Sequence, residues 1–180
     1  MYLYSITLNE TTAINLSIYG SFTKPDQHEL VIAKGKILEM YKVDEETGQL
    51  RLIYRQEVFG LIRSILPFRL MGMQKDFVVI GSDSGRIVIL EFELEQNKFV
   101  KIHQETFGKT GVRRIVPGEF LATDPKGRAI MIGAVEKQKF VYILNRDSNN
   151  KLTISSPLEA FKPHVITLDM VGIDVGIENP

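Results

Sequence analysis

The sequence contains no cysteine. Disulfides, thiolate nucleophiles and cysteine-ligated zinc are therefore excluded, and the absence fits a reducing compartment. It has no surplus of charge either: lysine plus arginine number 22, and aspartate plus glutamate also number 22. A protein whose affinity comes from nucleic-acid phosphates ordinarily carries a basic excess. Long apolar runs are missing. Stretches such as FVVI (77–80) and IVIL (87–90) hold four residues, whereas a membrane helix needs roughly 20. The first ten residues, MYLYSITLNE, lack the basic start and apolar stretch of a signal peptide. Without one, the glycosylation sequons at Asn9 and Asn15 read as chance. The expectation is a soluble, intracellular chain without membrane or small-molecule business.

Segments with helical period are also missing. What is present is ordinary globular composition, 44% apolar and 24% charged over 180 residues. A chain of that size can bury roughly 70% of its unfolded surface. Short runs rich in Val, Ile, Leu, Phe and Tyr alternate with turn signals, as in all-β sandwiches, barrels and propellers. Asp83-Ser84-Gly85 separates two such runs, Glu46-Thr47-Gly48 precedes another, and Asp124-Pro125-Lys126-Gly127 suits a type I turn.

Internal repetition narrows the choice. Glu57-Val58-Phe59-Gly60 recurs as Glu105-Thr106-Phe107-Gly108, and Leu30-Val31-Ile32-Ala33 overlays Val78-Val79-Ile80-Gly81. Ile62 to Pro67 recurs as Val112 to Pro117, and a third copy begins near Ala129. A period of about 50 residues with four short strands describes a propeller blade. Pro67 and Pro117 belong on edge strands, because proline donates nothing to a ladder. The first strand of a propeller blade is such an edge. The predicted fold is an all-β, WD40-like β-propeller of four-stranded antiparallel blades. The blades span about 13–59, 61–107 and 112–159, and 164–180 starts the next. Three and a half blades do not close a ring, so the chain reads as the N-terminal part of a longer protein. Residues 2–8 read as a spare strand whose blade lies elsewhere. The expected core is Val31, Ile32, Val78, Val79, Ile80, Ile87, Ile89, Ile130, Ile132, Val141 and Ile143. Leu50, Leu52 and Tyr54 alternate with Arg51 and Arg55, as in an outer, half-exposed strand.

The segments GSDSGRIVILE (81–91), KIHQETFGK (101–109), RRIVPG (113–118), DPKGRA (124–129), YILNRD (142–147), LTISSPLEA (152–160) and GIENP (176–180) closely resemble the splicing factor 3B subunit 3 family. The wider superfamily includes a damaged-DNA-binding adaptor of a ubiquitin ligase and the large subunit of the cleavage and polyadenylation factor. The resemblance implies a three-propeller protein with a C-terminal helical region, of which this chain is part of the first propeller. It further implies a nuclear, non-catalytic scaffold of the splicing factor 3b complex in the U2 small nuclear ribonucleoprotein. Its partners would be the complex's protein subunits, including the helical-repeat large subunit. Contact with snRNA and pre-mRNA would be indirect, in support of branch-site recognition. The alternatives are the ubiquitin-ligase and cleavage/polyadenylation adaptors, or a propeller that binds nucleic acid directly.

Candidate chemistry is sparse, and no catalytic, metal or cofactor residue is assigned. His28, His103 and His164 share no ligand spacing. Residues 81–85 resemble a phosphate loop only in glycine content; the lysine and following helix are missing. Asp83 and Asp124 sit in turn signals, where aspartate caps its own backbone, and Asp169 has no evident carboxylate partner. Ser155-Ser156-Pro157 is either a phosphorylation site or a loop leaving an outer strand. Arg113 and Arg114 are the candidate partner contacts. Adjacent strand residues point to opposite faces, so at most one of them lines a given groove.

Overall fold

A computed structural model describes residues 6, 8–58, 60–107, 118–135, 138–161 and 167–174. Every regular element among them is a strand. Strands β1 (Leu16–Gly20), β2 (Glu29–Lys34), β3 (Ile37–Val43) and β4 (Leu50–Glu57) form one antiparallel sheet in that order. β5 (Ile62–Phe68), β6 (Phe77–Ser82), β7 (Arg86–Glu93) and β8 (Lys98–Thr106) form a second in the same way. The third holds β9 (Leu121–Thr123), β10 (Ala129–Val135), β11 (Gln138–Arg146), β12 (Leu152–Ile154) and β13 (Leu158–Phe161). This is the predicted all-β propeller architecture. Asp124 to Gly127 closes β9–β10 through Gly127 N–H to Asp124 C=O at 2.8 Å. Gly127 sits at φ +69°, the left-handed region that favours glycine.

The first strands of successive sheets, β1, β5 and β9, lie beside one another. Pro67 falls in β5, an edge strand paired on one side only with β6. Pro117 lies outside the described residues. Sheet two is covered on both faces. Val78 and Ile80 pack with Val31, Leu38 and Met40 of sheet one. Phe77 and Val79 pack with Ile130, Ile132 and Tyr142 of sheet three. β6 is buried at every position, which is why FVVI reads as a continuous apolar run rather than an alternating one. Burying each of these side chains contributes about 1.5–3 kcal/mol.

Several expectations change in detail. The third sheet carries five strands, not four. β12 pairs with residues 144–146 of β11 and β13 with residues 138–141, so both occupy the outermost position of one blade. The break between them is residues 155–157. Pro157 offers no N–H, and the Ser155 hydroxyl takes the place of a ladder acceptor for Ile143 N–H at 3.0 Å. Ser155-Ser156-Pro157 thus interrupts an outer strand.

Val31, Ile32, Val78, Val79, Ile80, Ile87, Ile89, Ile130 and Ile132 are buried as expected, but Val141 and Ile143 are not core. On β11 the packing side carries Phe140, Tyr142 and Leu144, while Ile143 is 41% exposed. The strand faces sheet two with one side, and among the described residues its other side lies largely open.

β4 also departs from simple alternation. Met40 pairs with Tyr54 and Tyr41 with Leu52, leaving Ile53 as a β-bulge. Ile53 and Tyr54 therefore both pack inward, and Leu50 and Leu52 are exposed. β8 repeats the device at Ile102, between Lys101 and His103. Residues 167–174, expected to begin another blade, form no strand. They run along sheet three, with Gly172 against the Thr123 carbonyl and Lys126 3.6 Å from Asp174. Of the expected spare strand 2–8, residues 2–5 and 7 lie outside the described residues.

Candidate protein-interaction surface

The sequence candidates do not converge. Arg113, Arg114 and His164 lie outside the described residues. Residues 83–85 form a hairpin turn, not a phosphate cradle. Gly85 N–H donates to Ser82 C=O at 3.0 Å, and the Asp83 carboxylate accepts Leu61 N–H at 2.8 Å. Asp83 thus fastens the β4–β5 connection to the β6–β7 turn. Asp124 is claimed by Arg128, whose backbone N–H and Nε reach one carboxylate oxygen at 3.0 and 2.6 Å. The Arg128 hydrogen bonds hold its carboxyl below the usual carboxylate range. Asp169 accepts Met170 N–H at 2.8 Å. His28 stacks on Tyr19 with ring centres 5.1 Å apart, and His103 lies 3.2 Å from Glu105. Among the described residues, no group of three or more histidines and carboxylates gathers to hold a metal.

Antiparallel alternation places the β1–β2, β3–β4, β5–β6 and β7–β8 loops on one face of the molecule. Two buried carboxylates, which no motif announced, shape that face. Glu29 opens β2 fully buried, accepting Phe22 N–H at 2.9 Å, Thr23 N–H at 3.3 Å and the Thr23 hydroxyl. It folds the β1–β2 loop back over its own sheet. Asp76 precedes β6 and reaches sheet one, where it accepts Ser21 N–H at 2.7 Å. It also takes both ends of the Arg69 guanidinium, at 2.7 and 3.1 Å. Backbone closes the same junction, with Asp76 N–H donating to Ser21 C=O at 2.8 Å. A sequence signal did exist: acidic residues placed immediately before apolar strands, where capping rather than solvation is their use.

Between sheets one and two this face opens into a groove of about 680 Å³. Lys24 enters from the β1–β2 loop, Lys42, Asp44 and Arg51 from β3–β4, and Leu94 from the β7–β8 hairpin. Asp44 accepts Glu46 N–H at 2.9 Å and Thr47 N–H at 3.1 Å, and these bonds hold its carboxyl below its ordinary range. A smaller groove of about 360 Å³ repeats the arrangement between sheets two and three, between Met71 and residues 144–147. On the opposite face, residues 9–11 border a cleft of about 470 Å³. Thr11 donates to Lys34 C=O at 2.7 Å there, and Glu10 pairs with Arg55 at 2.6 Å.

Blades packed face to face around adjacent inner strands, with grooves opening between them, define a β-propeller. A family profile described as the RSE1/DDB1/CPSF1 first beta-propeller matches residues 13–180, and the chain belongs to that family. It is 59% identical over all 180 residues to splicing factor 3B subunit 3 of Danio rerio. It is 58% identical to spliceosome-associated protein 130 A of Arabidopsis thaliana and 54% to pre-mRNA-splicing factor RSE1 of Mycosarcoma maydis, again over its full length. The chain spans about 15% of the length of each of these relatives.

Proposed function

We propose that this chain is a non-catalytic scaffold in pre-mRNA splicing. In this reading it is the N-terminal portion of the first propeller of a multi-propeller protein, with blades at about 13–59, 61–107 and 112–159 and the next beginning at 164–180. It holds protein subunits of the splicing factor 3b complex in the nucleus, including the helical-repeat large subunit, and associates with snRNA and pre-mRNA indirectly. The carrying observation is identity of 47–59% along the whole chain to proteins named as splicing factors. The balanced charge supports protein rather than phosphate as the principal contact. Arg113 and Arg114 are proposed as partner contacts in the segment between the second and third sheets.

Affinity purification from nuclear extract tests the reading. Recovery of the splicing factor 3b subunits is expected. Recovery of a ubiquitin-ligase scaffold or of the polyadenylation machinery in their place would overturn it, as would tight, salt-sensitive RNA binding by the chain alone. Replacing Arg113 and Arg114 together by glutamate is expected to lower that recovery about tenfold or more, the loss of one strong charged contact.

A further inference from the structure

The seams between neighbouring sheets use equivalent positions but differ in polarity. In the seam between sheets one and two, β4 contributes Tyr54, the register partner of Met40. Its hydroxyl donates to Gln56, two residues along the same strand, at 3.3 Å. Its ring meets Phe92 and Phe99, each with centres 5.9 Å away. In the seam between sheets two and three, β8 contributes His103, the register partner of Ile89. His103 Nε2 lies 3.2 Å from the carboxylate of Glu105, again two residues along. Across this second seam stands the ring of Tyr142 of β11, its centre 6.5 Å from that of His103.

Tyr142 is 5% exposed, and its hydroxyl has no hydrogen-bond partner among the described residues. Buried polar groups are hydrogen-bonded as a rule, to protein or to ordered water, and a buried hydroxyl without a partner is costly. Tyr142, His103 and Glu105 border a cavity of about 10 Å³. Its remaining walls are isoleucines of β7, β10 and β12. A space of that size holds about one water molecule and nothing larger, and a water needs two to four polar partners. The phenol, the carboxylate and the imidazole are three.

We propose that this cavity is the binding site of a single internal water molecule bridging Tyr142 of sheet three to Glu105 and His103 of sheet two. The Tyr142 hydroxyl donates to the water, and the water donates to the Glu105 carboxylate. Glu105 is held towards the site by His103. The seam between sheets two and three is therefore a wet joint. Its counterpart beside Tyr54 is dry, because that hydroxyl is already satisfied by Gln56.

The experiment is a structure of the full-length protein at a resolution that reveals other buried waters, repeated for Tyr142→Phe and Tyr54→Phe. The expected result is one peak about 2.5–3.0 Å from the Tyr142 hydroxyl, within hydrogen-bond reach of Glu105 or His103. Tyr142→Phe should lose the peak, and Tyr54→Phe should keep it. A melting measurement at pH 7 reads the same contact without a map. Removing a bonded hydroxyl destabilises, whereas removing an orphaned one stabilises, so Tyr142→Phe should lower the melting temperature by about 2–4 °C. No peak in the parent protein, a direct bond from Tyr142 to Glu105, a peak that survives Tyr142→Phe, or a raised melting temperature in that variant would overturn the proposal.

Discussion

At the scale of single residues, buried polar groups hold the blades together as firmly as apolar ones. Asp76 is 9% exposed and satisfies Ser21 N–H on the neighbouring sheet. Asp76→Ala leaves a buried donor unmet and Arg69 unpaired. Chemical denaturation should report a loss of about 2–3 kcal/mol, the penalty for an unsatisfied buried group. Tyr142 is a second such residue. Burial first, then Glu105 and Glu159, push its phenol up to about 12 from 10.0. Between those values the folded chain keeps a proton that the unfolded chain has lost. Stability therefore falls as pH rises from 10 toward 12, and it is intact below 10. In Tyr142→Phe that alkaline slope should flatten, a change that thermal melts at several pH values detect.

At the scale of elements, equivalent strands diverge where neighbours approach. The second strands carry Ala33, Gly81 and Gly133 at equivalent places. A Cβ built on Gly81 would stand 2.1 Å from the Gly118 carbonyl oxygen, so the loop before β9 closes directly over β6. Overpacking such a contact costs about 1–3 kcal/mol or more. Gly81→Ala should destabilise by that much in urea unfolding, with little change in the slope. A comparable cooperative midpoint in the variant would mean that the loop yields. The bulges at Ile53 and Ile102 belong to this scale too. Each turns two successive residues of an outer strand, and in β4 that brings Tyr54 within 5.9 Å of both Phe92 and Phe99.

At the scale of the whole molecule, the three sheets are unequal. Sheet two has a core on each side; sheet three packs on sheet two and leaves Met131, Ile143 and Leu158 exposed at 37%, 41% and 59%. Among the described residues that sheet face is open and apolar, and such a face favours association. The chain alone should self-associate with rising concentration in sedimentation velocity runs. Ile143→Asp, on the open face of β11, should return it to monomer without lowering the melting temperature. Persistence of the oligomer in that variant would assign the association to another surface.

The sequence by itself determined the strands of sheets one and two, the repeat period and the hairpin turns between them, because each follows from local rules: apolar runs, turn residues, proline at an edge. Only the tertiary structure decided which side of β11 is core. VYIL is equally apolar on both sides, and the choice of Phe140, Tyr142 and Leu144 over Val141 and Ile143 belongs to sheet two, which packs against one of them. Tertiary structure also decided the bulge at Ile53, which shifts the phase that Leu50, Leu52 and Tyr54 appeared to set. The groove was illegible for the same reason. Lys24, Lys42, Arg51 and Leu94 are scattered across 71 positions of sequence, and only the packing of one blade against the next brings them together.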